Sequence, residues 1–359
     1  MCDITVTYTK KDGKTEGIDF EEDDSTLDLE RKGIVSIDLA QLENCDNLEE
    51  LLLSSNPLST LDLAPLATCA NLRVLGLNKN QLSQIDLQPL SGCKNLNVLE
   101  LGSNQFESVD LSPLSDCTEL QRLRLFNNQL SKIDLSPISA CHGLEVLELE
   151  NNDFSEIDLS ILSNCTGFIQ LNLMYNSLST IDLSPLEGCE KLKFVYLQHN
   201  HLQEIDLAPL LQCTDLRMIR LGGNQLESID LEPLSNCREL RKVGLAMNQL
   251  KEIDLYPLTR CIHIFSLDLS RNKLREIDLT PLAGWSELEE LFLFSDHKSE
   301  ENQFASIDIS PLFTCTSLED ISISEDTELI ASKSLEKSKD VPDGLQDMID
   351  DERVTWVEK

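Results

Sequence analysis

Aromatic residues make up only 5% of the 359-residue chain, which leaves aliphatic side chains, leucine above all, to fill any interior. Bases are also in short supply. Lys and Arg number 29 against 64 Asp and Glu, for a formal net charge of −35. Binding a phosphate backbone needs a basic footprint, so this balance excludes a nucleic-acid partner. It favours solubility and the approach of basic partners without identifying one. The opening MCDITVTYTKKDGKTEG has no apolar run of signal-peptide length, and nowhere do 18 apolar residues occur together. Neither secretion nor membrane spanning is expected, and the expected location is cytoplasmic. No C-x-x-C occurs, so a zinc site has no support. The five histidines, His142, His199, His201, His263 and His297, form no metal-spaced or nucleophile–base pair. No phosphate-cradling glycine loop is present either. The chain is therefore expected to be no enzyme and to use no cofactor and no metal.

What is present is a period. Residues 96–119, LNVLELGSNQFESVDLSPLSDCTE, overlay most of the chain when it is shifted by 24 residues. A period in the twenties marks a solenoid, in which no coil can bury its apolar side alone. Asparagine recurs at Asn56, Asn80, Asn104, Asn128, Asn152, Asn176, Asn200, Asn224, Asn248, Asn272 and Asn302. In x-Leu-x-Leu-x, alternation puts the leucines inward and the intervening residues on the outer surface. The asparagine amide can satisfy backbone groups that no sheet ladder reaches. An extended triplet such as Ile133-Asp134-Leu135 follows, and then Ser136-Pro137-Ile138, read as N-cap, first-turn proline and one short helical turn.

The pattern L-x-x-L-x-L-x-x-N-x-L, spread over residues 27–329, resembles the leucine-rich repeat proteins. The resemblance implies an α/β solenoid: a leucine-rich repeat arc with a parallel β-sheet on its concave face and short helical or 3-10 turns on the convex side. Turns that short should keep curvature shallow. It also implies protein–protein recognition on the concave face, and intracellular relatives regulate phosphatases or small GTPases. The expected organisation is an N-terminal cap at 1–26, an array of about 12–13 coils at 27–329 and a C-terminal cap at 330–359. ITVTYT-KKDGK-TEGIDF reads as a β-hairpin turning at Asp12-Gly13. VPDGLQDMIDDERVTWVEK reads as a short helix and an extended tail, with Trp356 turned inward. Trp285 replaces the cysteine of its coil, and residues 296–301 are an insertion, read either as an added contact or as a tolerated surface loop.

Two ladders invite chemistry. Eleven cysteines recur at one offset, from Cys45 through Cys261 and then Cys315. Parallel side chains place their β-carbons nearer ~5 Å than the ~3.8 Å of a relaxed disulfide, so the reading is a small buried hydrophobe in a reducing compartment. Twelve aspartates recur from Asp38 through Asp278 and at Asp308. Carboxylates ~4.8 Å apart repel by about 1 kcal/mol even in water, so each should accept backbone N–H bonds from the following turn. A calcium ladder would need glycine-rich, multi-carboxylate loops, which are missing.

The concave face carries the functional expectation. Three outward positions in eleven coils give 33 sites with six acids and four bases, close to neutral in a strongly anionic molecule. Five aromatics lie there: Phe126, Phe194, Tyr196, Phe292 and Phe294. Met174 and Met218 share their rows, while Tyr175, His199 and Met247 stand one step further along. Aromatics beside arginine are the composition of binding hot spots. Phe126 through Met218 is expected to form a central patch oriented by Arg122, Arg124 and Arg220. Phe265, Phe292 and Phe294 are expected to form a second patch near the insertion. Gly222-Gly223 is read as strand residues leaving room for a partner's backbone.

The partner is expected to be a protein or peptide, with no nucleic acid and no membrane, bound by a monomeric adaptor capped at both ends. Tyr196→Ala or Arg124→Glu should then abolish capture while leaving stability nearly unchanged. The rival readings are an extracellular adhesin or receptor ectodomain, and a self-associating structural subunit.

Overall fold

The computed structural model describes residues 4–21, 24–43, 45–294 and 302–358, so the insertion at 296–301 and His297 lie outside the described residues. The chain divides into two compact units, Met1–Ser177 and Leu178–Lys359.

In the first unit, Ile4–Lys10 and Thr15–Phe20 pair antiparallel. They turn through Gly13, whose N–H reaches the Lys10 carbonyl at 2.8 Å and whose φ of 83° suits glycine. The other edge of Ile4–Lys10 takes up Ile34–Asp38, so the end sheet draws on the first coil, beyond residue 26. Val6, Tyr8 and Phe20 are buried beneath it. Seven short strands then run parallel and in register: Thr26–Asp28, Glu50–Leu52, Val74–Gly76, Val98–Glu100, Arg122–Arg124, Val146–Glu148 and Gln170–Asn172.

The second unit repeats the design with six: Phe194–Tyr196, Met218–Arg220, Lys242–Gly244, Ser266–Asp268, Glu290–Phe292 and Asp320–Ser322. It ends in a parallel sheet of Ser306–Asp308, Glu328–Ser332 and Val354–Val357 beside the helix Asp343–Asp350. Trp356 is half-buried and meets Phe313 edge-on, with ring centroids 6.2 Å apart. Among the described residues no helix is long and apolar enough to cross a membrane.

Each coil is closed by three devices. The residue before the asparagine adopts a left-handed backbone, with φ between 52° and 67° from Ser55 through Arg271, which swings the chain out of the strand. The asparagine then ties neighbouring coils together. Asn152 donates to the carbonyls of Leu125 and Leu149 at 3.0 and 3.1 Å and accepts from the Leu130 N–H at 3.0 Å. The third device is the aspartate ladder. Twelve aspartates accept the N–H two residues on at 2.8–3.0 Å, opening each 3-10 turn. The acceptor is thus the Asp134 side chain, with Leu135 at the N-cap position, and Ser136 is the first residue of the turn itself. Hydrogen bonds from Ser112 hold the Asp110 carboxyl below its ordinary value, so this stabilisation is present near neutrality and is lost on acidification through that lowered value.

The cysteines that follow are buried thiols donating to backbone, as from Cys141 to the Cys117 carbonyl at 3.2 Å. Burial pushes Cys93, Cys213 and Cys237 up to about 12, so almost no thiolate exists at neutral pH and these residues act as apolar filling. Trp285 is wholly buried at the same offset.

Candidate functional site

Leucines at alternate strand positions leave three outward side chains per coil. In the first unit these positions build a polar network. Arg124 lies between two carboxylates, Glu100 at 2.8 Å and Glu148 at 2.9 Å. Asn78 donates to Glu100 at 2.9 Å and Gln170 donates to Glu148 at 2.8 Å. The guanidinium is therefore already neutralised within the unit. Arg122 is exposed and reaches Glu145 only at 4.0 Å. The Phe126 ring lies over Gly102, where an added Cβ would come within 2.5 Å of it. Met174 is half-buried in the same row, and Tyr175, at the left-handed position, is 51% exposed.

Glu150 stands beside this network. Its Oε2 is buried with no hydrogen-bond partner among the described residues. Burial pushes the carboxyl up to about 7, helped by Glu148 and opposed by its own backbone N–H and by Arg124. The sign follows from that elevation. Below its ordinary value of 4.5 the group is neutral folded or unfolded, and as pH rises towards 7 only the unfolded state ionises freely. Glu150→Gln should therefore add about 2 kcal/mol of stability near pH 8, discounted for the water that still reaches the side chain, and nothing below about pH 4.5. Urea unfolding across that pH range checks it.

In the second unit, Phe194 and Tyr196 stack with centroids 6.1 Å apart, and the Arg220 guanidinium lies 5.7 Å from the Tyr196 centroid. Met218 pairs in register with Phe194. Lys242 sits 5.7 Å from the Phe265 centroid and pairs with Glu290 at 3.2 Å. Phe292 and Phe294 are half-buried further along. His199 takes the left-handed position, and its ring occupies the space beside Gly223, where a Cβ would lie 2.5 Å from Nδ1. Gly222-Gly223 accordingly lies past the strand, which ends at Arg220, and Gly223 accommodates the protein's own histidine instead of a partner's backbone.

Asn78, Gln170, Gly102 and Lys242 were not singled out as site residues by the sequence. Aligning the outward positions coil by coil would have placed glycine beside Phe126, whereas Asn78 and Gln170 reach Glu100 and Glu148 diagonally, from the columns on either side of the Glu–Arg–Glu series. Among the described residues no cluster of three or more His, Cys, Asp or Glu is placed to hold a metal ion.

A family model for the leucine rich repeat matches residues 70–130 and 142–202. The chain also shares its fold with an internalin (inlF) from Listeria monocytogenes, 26% identical at a TM-score of 0.63, over 84% of this chain and 87% of that one. The chain contains leucine-rich repeats and has their fold. The functional domain of InlJ from Listeria monocytogenes, described as including a cysteine ladder, is 23% identical. That match covers 80% of this chain and 65% of that one at a TM-score of 0.54, a likeness of fold. The leucine-rich repeat ectodomain of the plant membrane receptor kinase GASSHO1/SCHENGEN3 from Arabidopsis thaliana was solved in complex with Casparian strip integrity factor 2. It is 25% identical at a TM-score of 0.59, over 82% of this chain and 41% of that ectodomain. No curated protein sequence matches the chain. Leucine-rich repeat folds are typically binding modules, presenting extended surfaces to other proteins.

Proposed function

We propose that this protein is a non-enzymatic adaptor that binds a protein or peptide on its strand-bearing face, as a monomer in the cytoplasm. The observation that carries the reading is the half-buried Phe194–Tyr196 pair with Arg220 against it, rigid aromatic area beside a charge that fixes orientation. The buried thiol ladder supports a reducing compartment. Phosphatases and small GTPases are the first enzyme classes to assay for regulation by a captured partner.

The test is affinity capture from native lysate, comparing the wild type with a variant in which Phe126, Tyr196 and Arg220 are replaced together. Loss of capture with an unchanged melting temperature supports the reading, and retained capture refutes it. Arg124→Glu is a poor probe, because it would set three carboxylates side by side with Glu100 and Glu148 and destabilise the unit.

The receptor-ectodomain reading is favoured by the likeness to the plant ectodomain and has its own test. Thiol counting under denaturing conditions should find nearly all twelve cysteines reactive if the protein is cytoplasmic. Few reactive thiols would favour an oxidising, extracellular setting.

A further inference from the structure

The charges on the strand face of Leu178–Lys359 do not cancel evenly. Lys242 is paired with Glu290 at 3.2 Å. Asp268 accepts from both the N–H and the hydroxyl of Ser270, at 3.0 and 2.7 Å. Arg220 is different: among the described residues its guanidinium has no carboxylate within ion-pair range, and its Nε has no acceptor. The guanidinium lies over the Tyr196 ring, 5.7 Å from its centroid. The next strand places Gly244 opposite Arg220, where an added Cβ would meet the arginine Cγ at 3.6 Å, so that neighbour contributes no side chain beside Arg220. A half-buried cation that is oriented and without a counter-charge is a receptor for a planar anion, because guanidinium and carboxylate meet as a fork.

We propose that Arg220 receives an aspartate or glutamate side chain of an extended peptide, whose adjoining apolar residue packs on Phe194 and Tyr196. This deepens the strand-face reading and rests on it. The overall negative field opposes strongly acidic ligands at long range, while the single unpaired guanidinium acts only at contact. The chosen occupant is therefore a peptide of low net charge carrying one anchoring carboxylate, and not a polyanion.

The experiment is selection of a phage-displayed random dodecapeptide library on the purified full-length chain, followed by anisotropy titration of the enriched synthetic peptides. Enriched peptides should share an acidic residue next to an aromatic or aliphatic one. Changing that acid to its amide, or Arg220→Gln, should each weaken binding by about tenfold, and the two changes together by no more than one alone. Arg220→Lys should retain part of the affinity. Arg220→Gln should leave the melting temperature nearly unchanged, since the charge has no carboxylate partner to lose and only a ring contact with Tyr196 is weakened. Peptides that depend on Tyr196 but carry no acid, or whose acid and Arg220 act independently, would overturn the carboxylate assignment alone. If nothing is enriched, or nothing enriched depends on Tyr196 or Arg220, the strand-face reading itself fails.

Discussion

Asn272→Ala is expected to cost the Leu178–Lys359 unit about 4 kcal/mol, one of the two largest losses any single change in it should produce. The side chain is fully buried. Its amide donates to the carbonyls of Leu245 and Leu269 at 3.0 and 3.1 Å, and its oxygen accepts from the Leu250 N–H at 3.1 Å. Truncation leaves an N–H and two carbonyls in the apolar interior, and each buried orphan costs about 1–3 kcal/mol. Asn272→Asp is almost the same shape and should be at least as harmful near neutrality. It keeps the acceptor but turns the donor into a second oxygen facing two carbonyls. Urea unfolding followed by circular dichroism measures both variants, and a loss below about 1 kcal/mol would remove the asparagine ladder as a structural determinant.

Trp285→Cys should be nearly as damaging, although it restores the residue that eleven other coils carry. The indole is wholly buried, and a thiol in its place leaves most of that volume empty. Large-to-small changes of this kind cost about 3–5 kcal/mol, in proportion to the cavity that remains. Nothing in the structure explains why this coil carries tryptophan. Trp285 follows Cys261 by the usual 24 residues and Cys315 follows it by 30, yet the Cys315 thiol still donates to the Leu282 carbonyl at 3.4 Å, as other cysteines do to the coil before them. A melting temperature equal to or above wild type would show that the site collapses around the smaller side chain.

Much of this architecture could be read from the residues, because the rules behind it are local and recur. Alternating leucines fix which side chains face inward, and the asparagine and aspartate ladders follow from unsatisfied backbone groups that recur once per coil. The resolution of the face was less legible. Arg124 looked equivalent to Arg220 in the sequence, but Arg124 has carboxylates on both adjoining strands, whereas Arg220 has Tyr196 on one side and Gly244 on the other. Such pairings depend on cross-strand neighbours one period away, and a reading made along the chain does not see them. The role of Gly223 was hidden for the same reason, since the ring it accommodates belongs to His199 in the preceding coil. Ser136 resembled an N-cap because serine commonly serves as one, yet the aspartate two residues earlier already supplies the acceptor.

Hydroxyl-radical footprinting of the purified chain, alone and with its captured partner, tests the recognition face most directly. On this account, partner binding lowers oxidation of Phe194, Tyr196 and Met218, which share neighbouring strands. Tyr256, 57% exposed on a 3-10 turn, should be oxidised equally in both states. Protection of Tyr256 with no change at Tyr196 would place the contact on the turns and contradict the account.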